Sequence, residues 1–185
     1  MKLLSTSSTN SFVSVSHEIE YMGDKFVLVT ITVDIPAPEK SYLYRGGFQW
    51  RLYGEAEPLA VSLDFRDDIS HGGGVLKEIR FFISETVTQE ICGINFHKKI
   101  NGLPVLSLDN QETHHGYFHE EKGTFRLHLV DKSLYCLFEN IESDMEVEIN
   151  EHLSCLFDSE KVFSGFVIRN LVDEEINVIK EANLI

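Results

Sequence analysis

The sequence predicts a mainly β protein: an antiparallel two-sheet sandwich or closed barrel of about ten strands, with a short C-terminal helix. Three observations carry this. Apolar and polar residues alternate with period two along most of the chain. The alternating runs are short and are punctuated by glycine, asparagine and proline. Helical spacing emerges only near the end. Hydrophobic residues make up 43% of the 185 and charged residues 25%, enough apolar surface to offset the entropy of ordering the chain. A chain of this length buries about 70% of its unfolded surface. With no repeat, low-complexity tract or linker, it reads as one domain over residues 1–185.

Each element follows from its pattern. Val13, Val15, His17, Ile19 and Tyr21 alternate with serine and glutamate, which makes a half-buried strand. Met22-Gly23-Asp24-Lys25 is a hairpin loop leading into a strand over 26–35, which Pro36 and Pro38 end. Strands follow at 48–53, 59–65 and 75–84, with a glycine-rich loop over 67–74; a weaker one spans 91–97. Asn101-Gly102 is the strongest turn signal, and Pro104 marks an edge strand after it. Residues 115–119 and 124–130 flank Glu120-Glu121-Lys122-Gly123 and read as a hairpin. Strands are expected at 134–138, 144–150 and 162–168; 153–157 is ambiguous. Val172, Ile176 and Ile179 have helical spacing, with acids in the first turn and Lys180 near the end, as the helix dipole favours.

Charge narrows the function. The net charge is −14, and it is uneven: residues 101–185 hold 17 Asp/Glu against 6 Lys/Arg. Such a field repels phosphate backbones and anionic lipid, so neither nucleic acid nor membrane is expected as a partner. It attracts a basic protein or a cation. No apolar stretch has the length of a secretory signal or a membrane span, so a soluble, cytoplasmic protein is expected. Cys92, Cys136 and Cys155 are odd in number and sit among apolar neighbours, as buried free thiols do.

The most informative surface is acidic. Glu139, Glu142, Asp144, Glu146, Glu148 and Glu151 lie close together, and residues 139–175 hold eleven acids against Lys161 and Arg169. On a strand, Asp144, Glu146 and Glu148 point one way about 7 Å apart. They serve either as a solvated, charged edge or as a patch complementary to a basic partner.

Other candidates compete with simpler accounts. A regular hairpin across 120–123 places His115, His119 and His128 on one face, with Tyr117 and Arg126. Three imidazoles can hold a metal with an open position, although a solvated sheet face explains them as well. His71-Gly72-Gly73-Gly74 looks like the oxyanion-hole motif of lipases and esterases, but the Gly-x-Ser-x-Gly elbow is absent, and Phe163-Ser164-Gly165 lacks its first glycine. Asp64, Asp67 and Asp68, with Glu55 and Glu57, offer carboxylates for glycoside hydrolysis or simply for loop hydrogen bonds. Tyr42, Tyr44, Phe48, Trp50 and Tyr53, with Arg45 and Arg51, line a ligand cavity or fill a core.

Three readings result. The first is an interaction protein without cofactor or catalysis: a cytoplasmic immunity protein that occludes a basic, nuclease-type bacterial toxin through its acidic surface. The second is a small-molecule binder with a cavity near Phe48, Trp50 and Phe81. The third is a metal-dependent enzyme using the histidines, or a glycosidase using the acids.

Overall fold

The computed structural model describes residues 1–7, 13–36, 44–54, 58–66, 73–90, 96–107 and 118–185. Within them the chain forms β1 (Lys2–Ser7), β2 (Ser14–Gly23), β3 (Phe26–Asp34), β4 (Tyr44–Tyr53), β5 (Leu59–Arg66), β6 (Gly74–Ile83), β7 (Lys98–Asn101), β8 (Leu103–Ser107), β9 (Phe118–Lys122), β10 (Phe125–Val130), β11 (Ser133–Phe138), β12 (Met145–Glu148), β13 (Leu153–Phe157) and β14 (Phe163–Ile168). A helix, α1 (Asp173–Glu181), follows. The predicted strand 91–97 lies largely outside the described residues, and β1 and β7 are strands the pattern did not announce.

Two sheets result. The larger runs β1-β8-β6-β5-β4-β9 and carries β3 and β2 on β6 as well. β5 takes one edge of β6; the other is divided between β8, at Gly74 and Val75, and β3, at Glu78 to Ile83. The sheet curves into a half-barrel. The smaller sheet runs β10-β11-β14-β13-β12-β7. Most pairs are antiparallel, as expected, but β9 joins β4 and β7 joins β12 in parallel.

Local chemistry explains the turns. Asp24 and Lys25 between β2 and β3, and Asp131 and Lys132 between β10 and β11, all have positive φ. That backbone twist suits a two-residue hairpin. Asn101-Gly102 does something else. β7 belongs to the smaller sheet and β8 to the larger, so Gly102 (φ +148°) crosses between sheets and does not close a hairpin. Its N–H donates to Glu148 O at 2.9 Å. Pro104 is not on an edge strand, since β8 has β1 and β6 as neighbours. It pairs with Thr6 and lies beyond the short β6 ladder, so its missing N–H breaks no bond there.

The core lies between the sheets and is aromatic. Trp50 stacks on Phe138 at 5.7 Å between centroids, and Phe163 packs edge-on against both. Phe81 meets Phe125 and Phe166. The Trp50 indole N–H donates to Glu121 at 2.9 Å. Gly165 (φ +150°) is required on β14, because a Cβ there would lie 2.2 Å from Cys136 O. Cys136 and Cys155 are fully buried free thiols. Burial pushes both up, Cys155 to about 12. Cys92 lies outside the described residues.

Helix α1 forms where its spacing predicts, with one correction. Val172 is the N-cap and is exposed, so the apolar face is carried by Ile179, fully buried, and Ile176, half-buried. Glu175 accepts from Val172 N at 2.8 Å, the half of a capping box that a valine cap allows. Among the described residues, no helix is long and apolar enough to cross a membrane.

Candidate functional site

The acidic run is built on β12. Met145 and Val147 enter the core, so Glu146 and Glu148 turn to the opposite face. There β7 lies alongside and sets Lys99 opposite Glu146. Glu146 is only 4% exposed. It accepts from Ser154 Oγ at 2.7 Å and Arg169 Nη2 at 2.5 Å, with Lys99 Nζ at 3.8 Å. Arg169 Nη1 also donates to Ser154 Oγ. A carboxylate this buried requires such pairing, since desolvating it alone costs several kcal/mol. Lys99 pairs with Glu148, and that hydrogen bond raises the lysine above its ordinary value.

The remaining acids divide. Asp144 is hydrogen-bonded to His97 Nδ1 at 2.6 Å. Glu139 accepts from Thr124 Oγ1 at 2.5 Å and Arg126 Nε at 2.6 Å. These bonds, Thr124 first, hold it below the usual carboxylate range. Glu142 is exposed, and Glu151 is exposed with His152 Nε2 at 3.6 Å. Four of the six predicted carboxylates are therefore engaged within the chain, and the fold does not gather the run into one bare patch. In the sequence, the lone polar Ser154 of an apolar strand is the one local trace of that pairing; Lys99 and Arg169 carry none.

The hairpin expected to set His119 beside His128 does not form. β9 lies in the larger sheet beside β4, with His119 opposite Trp50; β10 lies in the smaller sheet, with His128 opposite Tyr135. His128 Nδ1 contacts Thr88 Oγ1 at 2.5 Å and Glu90 O at 2.9 Å. His114, His115 and Tyr117 lie outside the described residues. Among those described, no group of three or more His, Cys, Asp or Glu could hold a metal. A different pair of imidazoles does meet. His17 on β2 faces Glu175 of α1 at 3.0 Å, and its ring lies 6.2 Å from that of His152. The two buried Nδ1 atoms have no hydrogen-bond partner among the described residues. No sequence spacing marked it.

Other candidates resolve more simply. Asp64 pairs with Lys77 at 3.6 Å; Glu55, Glu57, Asp67, Asp68, His71 and Gly72 lie outside the described residues. Gly73 and Gly74 let strands approach: a Cβ on Gly73 would lie 2.7 Å from Leu106 O. Ser164 is buried and hydrogen-bonded to Ser143. Phe48, Trp50 and Phe81 are buried in the core. Tyr42 and the side chains of Tyr44 and Arg45 lie outside what is described.

A cleft does exist beside that core, at one end of the sandwich. Two crossings between the sheets bound it. One is Gly123-Thr124, which carries the chain from β9 to β10. The other follows β6, where Thr88 bridges to His128 and its N–H donates to Leu127 O at 3.1 Å. The space is about 430 Å³. Leu52, Phe82, Phe125 and Leu127 supply its apolar lining; hydroxyls and the charged Glu85, Arg126 and Glu139 complete it. Gly54 and Gly123 lie close together there, and a Cβ on Gly54 would be 2.8 Å from Gly123 O.

No protein-family model matches the chain, and no curated protein sequence matches it.

Proposed function

We propose that this protein is a small-molecule-binding β-sandwich of the cytoplasm, with its ligand in the cleft between the two crossings. The cleft itself carries the reading: about 430 Å³ of space lined by four apolar side chains together with hydroxyls and charged groups, within the range of about 300–1,000 Å³ that small ligands occupy. Buried free thiols accord with a reducing compartment. Native mass spectrometry of the purified chain is expected to show a small mass increment that denaturation removes. Fragment titrations are expected to shift the amides of Ser84 to Thr88 and Gly123 to Leu127. No increment, together with fragments that leave those amides in place, would sink the reading.

The interaction reading, an immunity protein occluding a basic toxin domain, ranks second. Its support is the net charge of −14 and the exposed Glu142 and Glu151. Against it, Glu139, Asp144, Glu146 and Glu148 have partners within the chain. A pull-down that recovers a basic protein in the wild type and loses it in Glu142→Lys/Glu151→Lys would move this reading to first place.

A further inference from the structure

We propose that the cleft takes a small organic cation, an amine carried on an apolar or aromatic body, and the proposal rests on the binding-site reading above. The charged lining is two carboxylates, Glu85 and Glu139, against the single guanidinium of Arg126. Arg126 is committed: its Nε donates to Glu139, and it stands largely in solvent. Glu85 is exposed and has no ion-pair partner among the described residues. The lining therefore carries one uncompensated negative charge, and a carboxylate or phosphate entering the cleft would be repelled.

The rest of the lining agrees. Phe82 and Phe125 are the aromatic members of the lining, with their rings edge-packed on Phe26 and Phe81; aromatic surroundings favour a cation more than an anion. Leu52 and Leu127 supply the apolar contact that a body of about ring size requires. Ser84, Thr86 and Thr124 add hydroxyl oxygens that accept from an ammonium N–H. Glu139 keeps its charge, because Thr124 and Arg126 hold it below the usual carboxylate range. At long range the net charge of −14 concentrates cations around the molecule.

The test is a titration of the whole chain at low ionic strength with benzylammonium, benzyl alcohol and benzoate, followed by amide chemical shifts. The expected order is ammonium, alcohol, benzoate. Ammonium should lead alcohol by about three- to fivefold, the scale of one solvent-screened charge pair. The preference should collapse at about 0.5 M salt, where screening acts over a few ångströms. Glu85→Gln should bring the ammonium-to-alcohol ratio towards one, and Glu85→Lys should move benzoate to the front. If alcohol shifts the cleft amides and binds as tightly as ammonium, or if Glu85→Gln leaves the ratio intact, the cation proposal falls while the binding site stands. If no probe shifts those amides, both fall together.

Discussion

Glu146 and Glu139 belong to the same acidic run, yet their surroundings differ in kind. Glu146 is 4% exposed, locked by Ser154 and Arg169, with Lys99 near. Glu139 is among the residues that line the cleft, and its partner Arg126 is 74% exposed. The first carboxylate holds strands together: β12 carries it, β13 carries Ser154, and Arg169 follows β14 directly. The second leaves a charge where a ligand can meet it. Density of acids in a sequence therefore says little about an acidic surface; what matters is which cations the topology brings to each.

The largest effect that tests this contrast is at Glu146. Glu146→Ala leaves the Arg169 guanidinium in a low-exposure site without its carboxylate, and breaking such a pair costs about 3–5 kcal/mol. Arg169 keeps some contact with solvent, so the low end is expected, read as a fall in the denaturant midpoint at unchanged slope. The double variant Glu146→Ala/Arg169→Ala should be destabilised by clearly less than the sum of the two single changes. Additive losses would mean that the pair is not coupled, and that the contrast with Glu139 is one of burial alone.

The strands themselves were legible. Met145 and Val147 alternating with Glu146 and Glu148 announce a half-buried strand whatever its neighbours are. Their partners were not, because pairing with Lys99 and Arg169 depends on a parallel strand and a strand end far along the chain. The same limit hid the cleft. Asn101-Gly102 and the glycine of Glu120-Glu121-Lys122-Gly123 read locally as hairpin turns, but a crossing between sheets uses a glycine as well: Gly102 for its φ of +148° and Gly123 for its close approach to Leu52. Only the long-range fit of Phe125 against Phe81, and of His119 beside Trp50, decides that β9 and β10 part company. The hairpin signal was local and the outcome was not, so the histidine face was drawn and the cleft was missed.

A smaller effect sharpens the comparison at Lys99, which links the buried carboxylate to the half-buried Glu148. Its folded value is raised, chiefly by the hydrogen bond to Glu148. A raised lysine contributes stability below its unfolded value, near 10.5, and that contribution fades as pH climbs through the higher folded value. Lys99→Met should thus lower stability at neutral pH by a few tenths to about 1 kcal/mol, as exposed pairs do, and flatten the loss on the alkaline side. An unchanged alkaline limb would show that Lys99 titrates as it does in the unfolded chain.

The smallest effect on stability is expected at Glu139, and its direction in pH is opposite. The carboxyl is held low by Thr124 and Arg126. A depressed acid contributes stability above its unfolded value, about 4.3, and loses it as pH falls through the folded value. Glu139→Gln should therefore lower stability slightly across the neutral and alkaline range, converge on wild type at the lowest pH, and so flatten the acid limb. Its larger consequence should appear in the cleft. Arg126, released from its carboxylate, would turn the local balance from negative towards neutral, and benzylammonium should lose its lead over benzyl alcohol. A variant that keeps the lead while shifting the acid limb would reduce Glu139 to a structural partner of Thr124, and leave Glu85 as the residue that selects the cation.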